Sequence, residues 1–403
     1  KKTLKAIQDL PAAQDLIEDP QLAFFFASIV YNLCRSREDK IRPKKNEFPF
    51  NELGDDDLAA IEQFYEKMPA ESRPVKNGEV DAGSKDVAEK LRRWCVLQSG
   101  DTTKKLPDGT ATTGSNVISH LGKCAAHGSV RVKTIVAMVF KYLCADQQHR
   151  RYIVTSGGVR TLLGLVDLED EAARDAARQA LAQICIVTNP SLLPYSEQLD
   201  AVRPLVQTLE HHHELLQFEA AMGLTNLLTS SDELRSRAIL ARGWYACRDL
   251  LFSDNELVQR AGLEAMCNLT MAPEMLERFA EGKCELELRV FIGFCSSEDR
   301  ASVIAASGAL AMLASCDEVA VHIAANENFG ALLEVFQQCA DPDVQHRIAT
   351  ALCGVAAAES VPAEAAARAR AAMSKKAASG LASKEAQRLV REALEAGAGT
   401  AGG

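Results

Sequence analysis

The sequence predicts an all-α fold, a right-handed superhelical solenoid of stacked helical repeats, on the strength of two observations. The segment QFEAAMGLTNLL, which begins at Gln217, returns 42 residues later as QRAGLEAMCNL from Gln259. The same helical pattern ends at six positions that lie 41 to 44 residues apart, namely Tyr142, Gln183, Asn226, Asn268, Met312 and Gly354. A period of this length is typical of HEAT or armadillo repeats, whose helices bury their apolar faces only by stacking on neighbouring repeats.

The composition agrees with a stacked array and excludes two classes of partner. A chain of 403 residues with 47% hydrophobic content exceeds the roughly 250 to 300 residues at which a single compact core stops growing. The formal charge of -10 repels phosphate backbones, so no nucleic-acid partner is predicted. The longest apolar run, residues 22–33, is shorter than the roughly 20 residues of a membrane span, so no membrane partner is predicted.

The cysteine pattern predicts reduced thiols and a cytoplasmic location. The twelve cysteines contain no Cys-x-x-Cys pair, and Cys185, Cys267 and Cys353 fall near the ends of repeating helices, where a small apolar side chain packs well. We therefore expect neither disulfides nor a structural metal, and no cofactor. Three consecutive histidines, residues 211–213, are expected to lie in an inter-helix loop and not to bind a metal. Consecutive residues point in different directions, and no other ligands complete a tetrahedral site.

Five segments lie before and after the regular part of the repeats. Residues 1–37 are expected to form an N-terminal helical layer, with Pro20 at a helix start, and residues 38–84 an irregular connector rich in proline and charge. A short amphipathic helix is predicted over 85–98, followed by a mobile insertion at 99–115 that has almost no apolar side chain. The alanine and glycine content of residues 358–403 predicts alanine-rich capping helices followed by a glycine-rich tail.

The repeats themselves occupy residues 85–357 and become regular from Asn116. One unit is predicted as three helices at 146–155, 159–168 and 171–187, with Gly157 at the first break because the chain reverses there with a positive φ. The same order recurs at 232–240, 243–252 and 256–270, and again at 317–325, 329–339 and 342–356. Asp341 before Pro342 is a helix start signal. Three helices per unit favour armadillo over HEAT repeats.

Several segments together resemble the UCS domain of myosin-directed chaperones over residues 1–357. They are FFFASIVYNLCRSREDK, HRRYIVTSGGVRTLLGL, QFEAAMGLTNLL, RAGLEAMCNLT, AASGALAMLAS and DVQHRIATAL. The resemblance implies an armadillo-repeat superhelix that binds the myosin heavy-chain motor domain and promotes its folding, assembly or protection from aggregation. Animal members also carry a tetratricopeptide domain that binds the ninety-kilodalton heat-shock chaperone; this partner would act through regions absent from this chain.

A client-binding groove is predicted along the third helices, which line the concave face of an armadillo array. Residues four and seven positions apart share one side of a helix, so Asn226 is grouped with Met222, and Asn268 with Glu264. The neighbouring repeats add Met138, Tyr142, Gln179, Gln183, Met312 and Arg347. Because an asparagine carboxamide both donates and accepts hydrogen bonds, a row of them can hold the backbone of an extended peptide without reading its sequence.

Other interpretations of the same residues are open. Each asparagine could instead form a hydrogen bond that ties its helix to the adjacent repeat, and Met222 and Met312 could be ordinary residues of the hydrophobic core. A general armadillo adaptor or scaffold is the alternative function. Import receptors place Trp four residues before the groove asparagine, where this chain has Met222 and Glu264, which argues against import. No phosphate loop, nucleophile elbow or dinucleotide fingerprint occurs, so no enzyme is predicted. Self-association through the ends of the array is left open.

Overall fold

A computed structural model describes residues 15–35, 84–97, 103–105, 111–113 and 117–400. The predicted connector at 38–84 lies outside the described residues except for Ser84, and so does the tail after Thr400. The chain divides into two compact units, Lys1–Pro204 and Leu205–Gly403. Each unit is built from stacked α-helices, which confirms the all-α, armadillo-type fold, while the handedness of the superhelix stays a prediction.

The first unit stacks three long helices in succession. Its helices are α1 (Asp15–Glu18), α2 (Pro20–Cys34), α3 (Ser84–Leu97), α4 (Val117–His127), α5 (Val130–Cys144), α6 (Gln147–Thr155), α7 (Gly158–Leu163) and α8 (Glu171–Val187), followed by a 3₁₀ turn (Pro190–Leu192) and by α9 (Tyr195–Leu209), which contains the boundary between the units. Helix α2 packs on α5 and α5 on α8. The α2 helix begins where Pro20 predicts, because Asp19 accepts hydrogen bonds from the free amides of Gln21 and Leu22.

The predicted mobile insertion contains a short hairpin that the sequence analysis does not anticipate. Strand β1 (Thr103–Lys105) pairs antiparallel with β2 (Ala111–Thr113), with Thr103 opposite Thr113. The intervening sequence LPDGT contains Asp-Gly, a frequent hairpin-turn dipeptide, and the threonines favour strands. These signals are short and polar, and the low apolar content of the insertion does not reveal them. The rest of the insertion lies outside the described residues.

The second unit contains three complete three-helix repeats. It consists of α10 (Glu214–Leu228), α11 (Asp232–Leu240), α12 (Gly243–Leu250), α13 (Glu256–Leu269), α14 (Pro273–Ala280), α15 (Glu285–Phe294), α16 (Arg300–Leu313), α17 (Asp317–Ala325), α18 (Phe329–Gln338), α19 (Pro342–Ala357), α20 (Ala363–Ser379) and α21 (Lys384–Thr400). The third helices α10, α13, α16 and α19 stack in this order, and α21 packs on α19. In the first and the last of these repeats, for which bounds were predicted, the helix bounds match the predicted ones to within two residues.

Hydrogen bonds between layers repeat the sequence period. The Asn268 Nδ2 donates to the Thr225 carbonyl at 2.9 Å, 43 residues earlier, and the Asn255 Nδ2 donates to Glu214 Oε2 at 2.7 Å, 41 residues earlier. His322 Nε2 lies 3.0 Å from the Ala280 carbonyl oxygen, 42 residues earlier. Equivalent positions of successive repeats therefore lie one layer apart, which confirms the predicted period.

The breaks between first and second helices do not all use glycine for the left-handed turn. Gly157 has φ 78° as predicted, and Gly282 has φ 73°, but between α11 and α12 the left-handed residue is Arg242, with φ 68°. Gly243 instead begins α12, where an added Cβ would lie 2.8 Å from the Ala238 carbonyl oxygen. Gly243 is thus required by a close approach of the backbone and not by a positive φ.

A glutamine at the fourth residue of several third helices holds the preceding loop. The Nε2 atoms of Gln217, Gln259 and Gln345 donate to the carbonyls of Leu209, Ser253 and Cys339 at 3.2, 2.6 and 2.8 Å. The first two are the residues that begin the repeated sequence segments. Their recurrence therefore has a structural cause, which is the satisfaction of a loop carbonyl near the helix N-terminus.

Replacement of Gln345 by Ala is expected to destabilise the second unit. Gln345 is 2% exposed, and its Oε1 also accepts hydrogen bonds from the amides of Ala382 and Ser383, the two residues immediately before α21. The change leaves these two amides without the Oε1 acceptor, at about 1 to 3 kcal/mol for each buried group, while the Cys339 carbonyl keeps a hydrogen bond from Lys376 Nζ at 2.8 Å. Urea denaturation should show a loss of roughly 3 kcal/mol. Gln338→Ala, at an exposed glutamine at the end of α18, should change the stability by less than about 0.5 kcal/mol.

Candidate functional site

The stacked third helices of the second unit border an open groove with a volume of about 830 Å³. Its lining comes from α13, α16 and α19, together with Thr225 of α10. A groove along these helices follows from the repeat, because equivalent residues of successive layers fall in rows. This groove is the candidate functional site.

The floor of the groove is an apolar stripe on α16. Ala301, Ile304, Gly308, Ala311 and Met312 line the groove and are each half-buried. Their spacing of three or four residues places them on one side of the helix. The floor therefore offers apolar side chains to a ligand without being sealed inside the core.

The walls of the groove are polar. Helix α13 contributes Glu264, Cys267 and Asn268 on one side, and α19 contributes His346 and Arg347 on the other. Arg347 lies across the floor, since a Cβ added to Gly308 would stand 3.5 Å from its Nε and 3.6 Å from the Cys267 Sγ. The Arg347 guanidinium therefore lies inside the groove, in contact range of position 308.

Two side chains in the wall have ionisation behaviour set by their burial. Burial raises the pKa of the Cys267 thiol to about 11, although the nearby Arg347 charge acts in the opposite direction. Cys267 is therefore a neutral thiol at physiological pH. Burial also raises the pKa of Glu264, with Arg260 lowering it and Asp299 raising it further.

Ion pairs at the mouth of the groove connect successive layers. Arg260 of α13 lies 3.6 Å from Asp299, the N-cap of α16. Arg300 contacts Asp341 at 2.6 Å and Asp343 at 2.7 Å, at the start of α19. Because these pairs are partly or largely exposed, their main effect is to orient the charges at the mouth, with little gain in stability.

Glu264 gives the groove a testable pH dependence. A carboxyl group whose pKa is raised in the folded state binds its proton more tightly there than in the unfolded chain. The free energy of unfolding therefore falls as the pH rises above about 4.3, the ordinary pKa of glutamate in the unfolded chain. Glu264→Gln removes this cost, and its melting temperature should exceed that of the wild type at pH 7. The difference should shrink as the pH is lowered toward about 4.3. Glu334→Gln, at an exposed glutamate of α18, should show no such trend; a constant difference for Glu264→Gln would contradict the assignment.

Four of the predicted site residues meet in this groove: Glu264, Asn268, Met312 and Arg347. The amide nitrogen of Asn268 is engaged with the Thr225 carbonyl, so this side chain does tie its helix to the adjacent repeat. Met222 and Asn226 are half-buried on the neighbouring helix α10. An Asn268→Ala change would therefore affect the stability of the fold as well as the binding of any ligand in the groove.

The other four predicted residues belong to the first unit. Met138 on α5 and Gln179 and Gln183 on α8 are buried, at 7%, 8% and 8% exposure. Tyr142 is half-buried, and its ring lies 6.0 Å from that of Tyr31 on α2. The structure thus places these side chains in packed positions between stacked helices, and their contact with a client stays a prediction.

Several lining residues were missed by the sequence analysis, among them Cys267, Ile304 and His346. Ile304 lies four residues before Gly308 and could have been found by extending the same helical spacing one turn further. Cys267 and His346 each precede a predicted residue, and no periodic signal distinguishes them. The consecutive histidines serve a structural role, since His213 caps α10 by accepting a hydrogen bond from the Leu215 amide at 3.2 Å.

The twelve cysteines all lie in the described residues and are free thiols. Most are buried, as predicted from their positions in the repeating helices. Within the described ranges, none of the helices has the length and apolar character needed to cross a bilayer.

Comparison with known proteins supports the fold and the resemblance. No protein-family model matches the chain. It is 36% identical over 186 residues to human protein unc-45 homolog B, an alignment that covers 45% of this chain and 20% of that protein. The solved structure of UNC-45 from Drosophila melanogaster aligns with a TM-score of 0.71 and 23% sequence identity. The alignment covers 98% of this chain and 47% of the UNC-45 chain.

A third match is UNC-45 from C. elegans, described as a myosin chaperone in complex with an Hsp90 peptide, with a TM-score of 0.66 and 15% identity. It covers 94% of this chain and 40% of that protein. The resemblance to UCS-domain proteins is thereby confirmed. This chain spans about a fifth of the curated human relative that it matches.

Proposed function

We propose that this chain is a myosin-directed chaperone module whose groove in the second unit holds an extended segment of the myosin heavy-chain motor domain. The observation that carries the proposal is the groove itself, which combines a half-buried apolar floor with polar walls along stacked third helices. The similarity to unc-45 homolog B supports myosin as the client. The UNC-45 protein of C. elegans is described as a myosin chaperone, which agrees with this client class.

The apolar floor would bind side chains that a partly folded client exposes. Ile304 and Met312 each offer apolar surface that is incompletely buried in the free chain, and covering it is worth roughly 25 cal/mol per Å². The unbranched Met312 side chain adapts to different shapes. The floor therefore suits a client segment that is recognised by its hydrophobicity and not by an exact sequence.

The polar walls would hold the client backbone. Arg347 can donate to carbonyl oxygens, and the Oδ1 of Asn268 can accept from an amide while the Nδ2 remains on Thr225. Each such hydrogen bond contributes about 0.5 to 1.5 kcal/mol net. Binding of this strength covers an aggregation-prone segment and still permits release as the client folds.

The remaining features agree with this role. Free thiols favour a reducing environment, and we place the activity in the cytoplasm. The module needs no catalytic step, because binding and release of the client suffice. A link to the ninety-kilodalton heat-shock chaperone would use regions outside this chain.

The proposal is tested with the whole 403-residue chain and a purified myosin motor domain. Light scattering at elevated temperature should fall when the chain is present at about equimolar amounts, and a pull-down from muscle or cell lysate should recover myosin heavy chain as the main partner. An unrelated armadillo-repeat protein of similar size serves as the control. Recovery of a varied set of proteins without myosin, and no effect on scattering, would support the general adaptor instead.

A further inference from the structure

Three arginines surround one tyrosine on the second unit, away from the groove. The guanidinium carbons of Arg242, Arg248 and Arg278 lie 5.9, 5.2 and 5.6 Å from the ring centre of Tyr245. Arg278 also donates to the Tyr245 hydroxyl at 2.8 Å. These four residues form the Tyr245 arginine cluster.

The cluster joins two repeats through their first and second helices. Arg242 lies in the turn before α12, Tyr245 and Arg248 lie on α12, and Arg278 lies on α14 of the next repeat. Helices α10, α13, α16 and α19, which border the groove, contribute none of these side chains. The cluster is therefore a separate surface, independent of the proposed client groove.

Within the described residues, two of the three cations have no carboxylate partner. Glu287 lies 3.7 Å and Asp249 3.5 Å from Arg248. Arg242 and Arg278 form no ion pair with any part of the chain that the structure describes. Like charges so close together repel one another, and the chain as a whole has a formal charge of -10. A local cationic surface of this kind lowers its energy when an anion binds.

The backbone at Arg242 provides a second, independent observation. Arg242 is the only described residue other than glycine with a positive φ, at 68°, a conformation that is unfavourable for an L-residue with a side chain. The turns at Gly157 and Gly282 use glycine for the same conformation. An arginine kept in this strained position presents an exposed guanidinium beside Tyr245. Strain of this type is concentrated at functional sites.

We propose that the Tyr245 arginine cluster binds an acidic segment of a partner protein, with two carboxylates engaging Arg242 and Arg278. Side chains two residues apart in an extended peptide face the same way and lie roughly 7 Å apart, a distance that two guanidiniums beside one ring can match. Arginine suits carboxylates because its planar fork forms paired hydrogen bonds. The Tyr245 hydroxyl accepts from Arg278 and has its own proton to donate to the bound anion.

Fluorescence anisotropy with three labelled ten-residue peptides tests the proposal on the whole chain. The first alternates Glu with Ser, the second alternates Lys with Ser, and the third carries one phosphoserine and no other charged side chain. The Glu peptide should bind at least tenfold more tightly than the Lys peptide. Its affinity should fall several-fold between 50 and 300 mM salt, because screening weakens exposed charge interactions.

Arg242→Gly is the decisive variant, because glycine relieves the backbone strain while it removes the guanidinium. We expect at least a fivefold loss of affinity for the Glu peptide, with a melting temperature equal to or above that of the wild type. Arg388→Gln, at an exposed arginine on α21, is the matched control and should leave binding unchanged. The proposal fails if the Glu and Lys peptides bind equally, if Arg242→Gly retains full affinity, or if only the phosphoserine peptide binds, which would indicate a phosphate site.

Discussion

Gly354→Ala is expected to destabilise the second unit by about 3 kcal/mol or more, because the added methyl group would collide with the backbone of the neighbouring layer. A Cβ at this position would lie 2.2 Å from the Ala314 carbonyl oxygen and 2.9 Å from its carbonyl carbon. Neither atom can move without shifting the end of α16 away from α19. The stacked layers would have to separate, and the melting temperature should fall by roughly 10 °C.

Gly293→Ala provides the matched control. Gly293 is exposed on α15, and an added Cβ would meet nothing within 4 Å. The same chemical change should there stabilise the helix by up to about 1 kcal/mol, since alanine restricts the unfolded chain more than glycine. Thermal melting monitored by circular dichroism distinguishes the two outcomes. A small effect of Gly354→Ala would mean that the close approach of α16 and α19 is absent.

Gly354 shows both what the sequence reveals and what it conceals. Its position in the series that includes Asn226 and Asn268 follows from the period of 41 to 44 residues. The reason for glycine does not, because it depends on the carbonyl of Ala314, 40 residues earlier in the chain. Local periodicity fixes which helix face a residue occupies. The distance between two backbones on neighbouring layers depends on packing that no local pattern encodes.

In the groove, too, the sequence predicts part of the arrangement and leaves the rest to packing. Glu264, Asn268, Met312 and Arg347 were predicted from helical spacing within the repeats, and they do line one groove. The predicted residues Gln179 and Gln183 occupy equivalent positions in their helix, yet they are each 8% exposed. Spacing cannot distinguish a side chain that faces a groove from one that is buried by packing. The hydrogen bond of Asn268 to Thr225 shows that one residue can serve both as a tie between layers and as part of the wall.

The roles of Gln217 and Gln259 change the design of a groove experiment. Each stands nine residues before the asparagine of its helix, so the sequence alone places it on the opposite side of that helix and predicts a neutral control. In the structure their amides hold loop carbonyls, so their replacement affects stability. Residues of the apolar floor avoid this difficulty, because the Ile304 and Met312 side chains have no amide group and their replacement breaks no hydrogen bond to a loop carbonyl.

The double variant Ile304→Gln with Met312→Gln is therefore the sharpest test of the groove. Both side chains line the floor and are half-buried, so the fold should tolerate the change. The loss of apolar contact with a bound client should cost about 2 kcal/mol in total, a fall in affinity of roughly thirtyfold. Binding of the myosin motor domain and suppression of its aggregation should decline together.

The matched control replaces two exposed leucines outside the groove, Leu240→Gln with Leu286→Gln. These side chains lie on α11 and α15 and are 83% and 50% exposed. If a client binds any exposed apolar surface, both double variants should lose affinity equally, and the groove would have no special role. If the client binds the floor of the groove, only the first pair should weaken it. Because neither pair removes a hydrogen bond between layers, melting temperatures close to that of the wild type would assign the loss to client contact and not to unfolding.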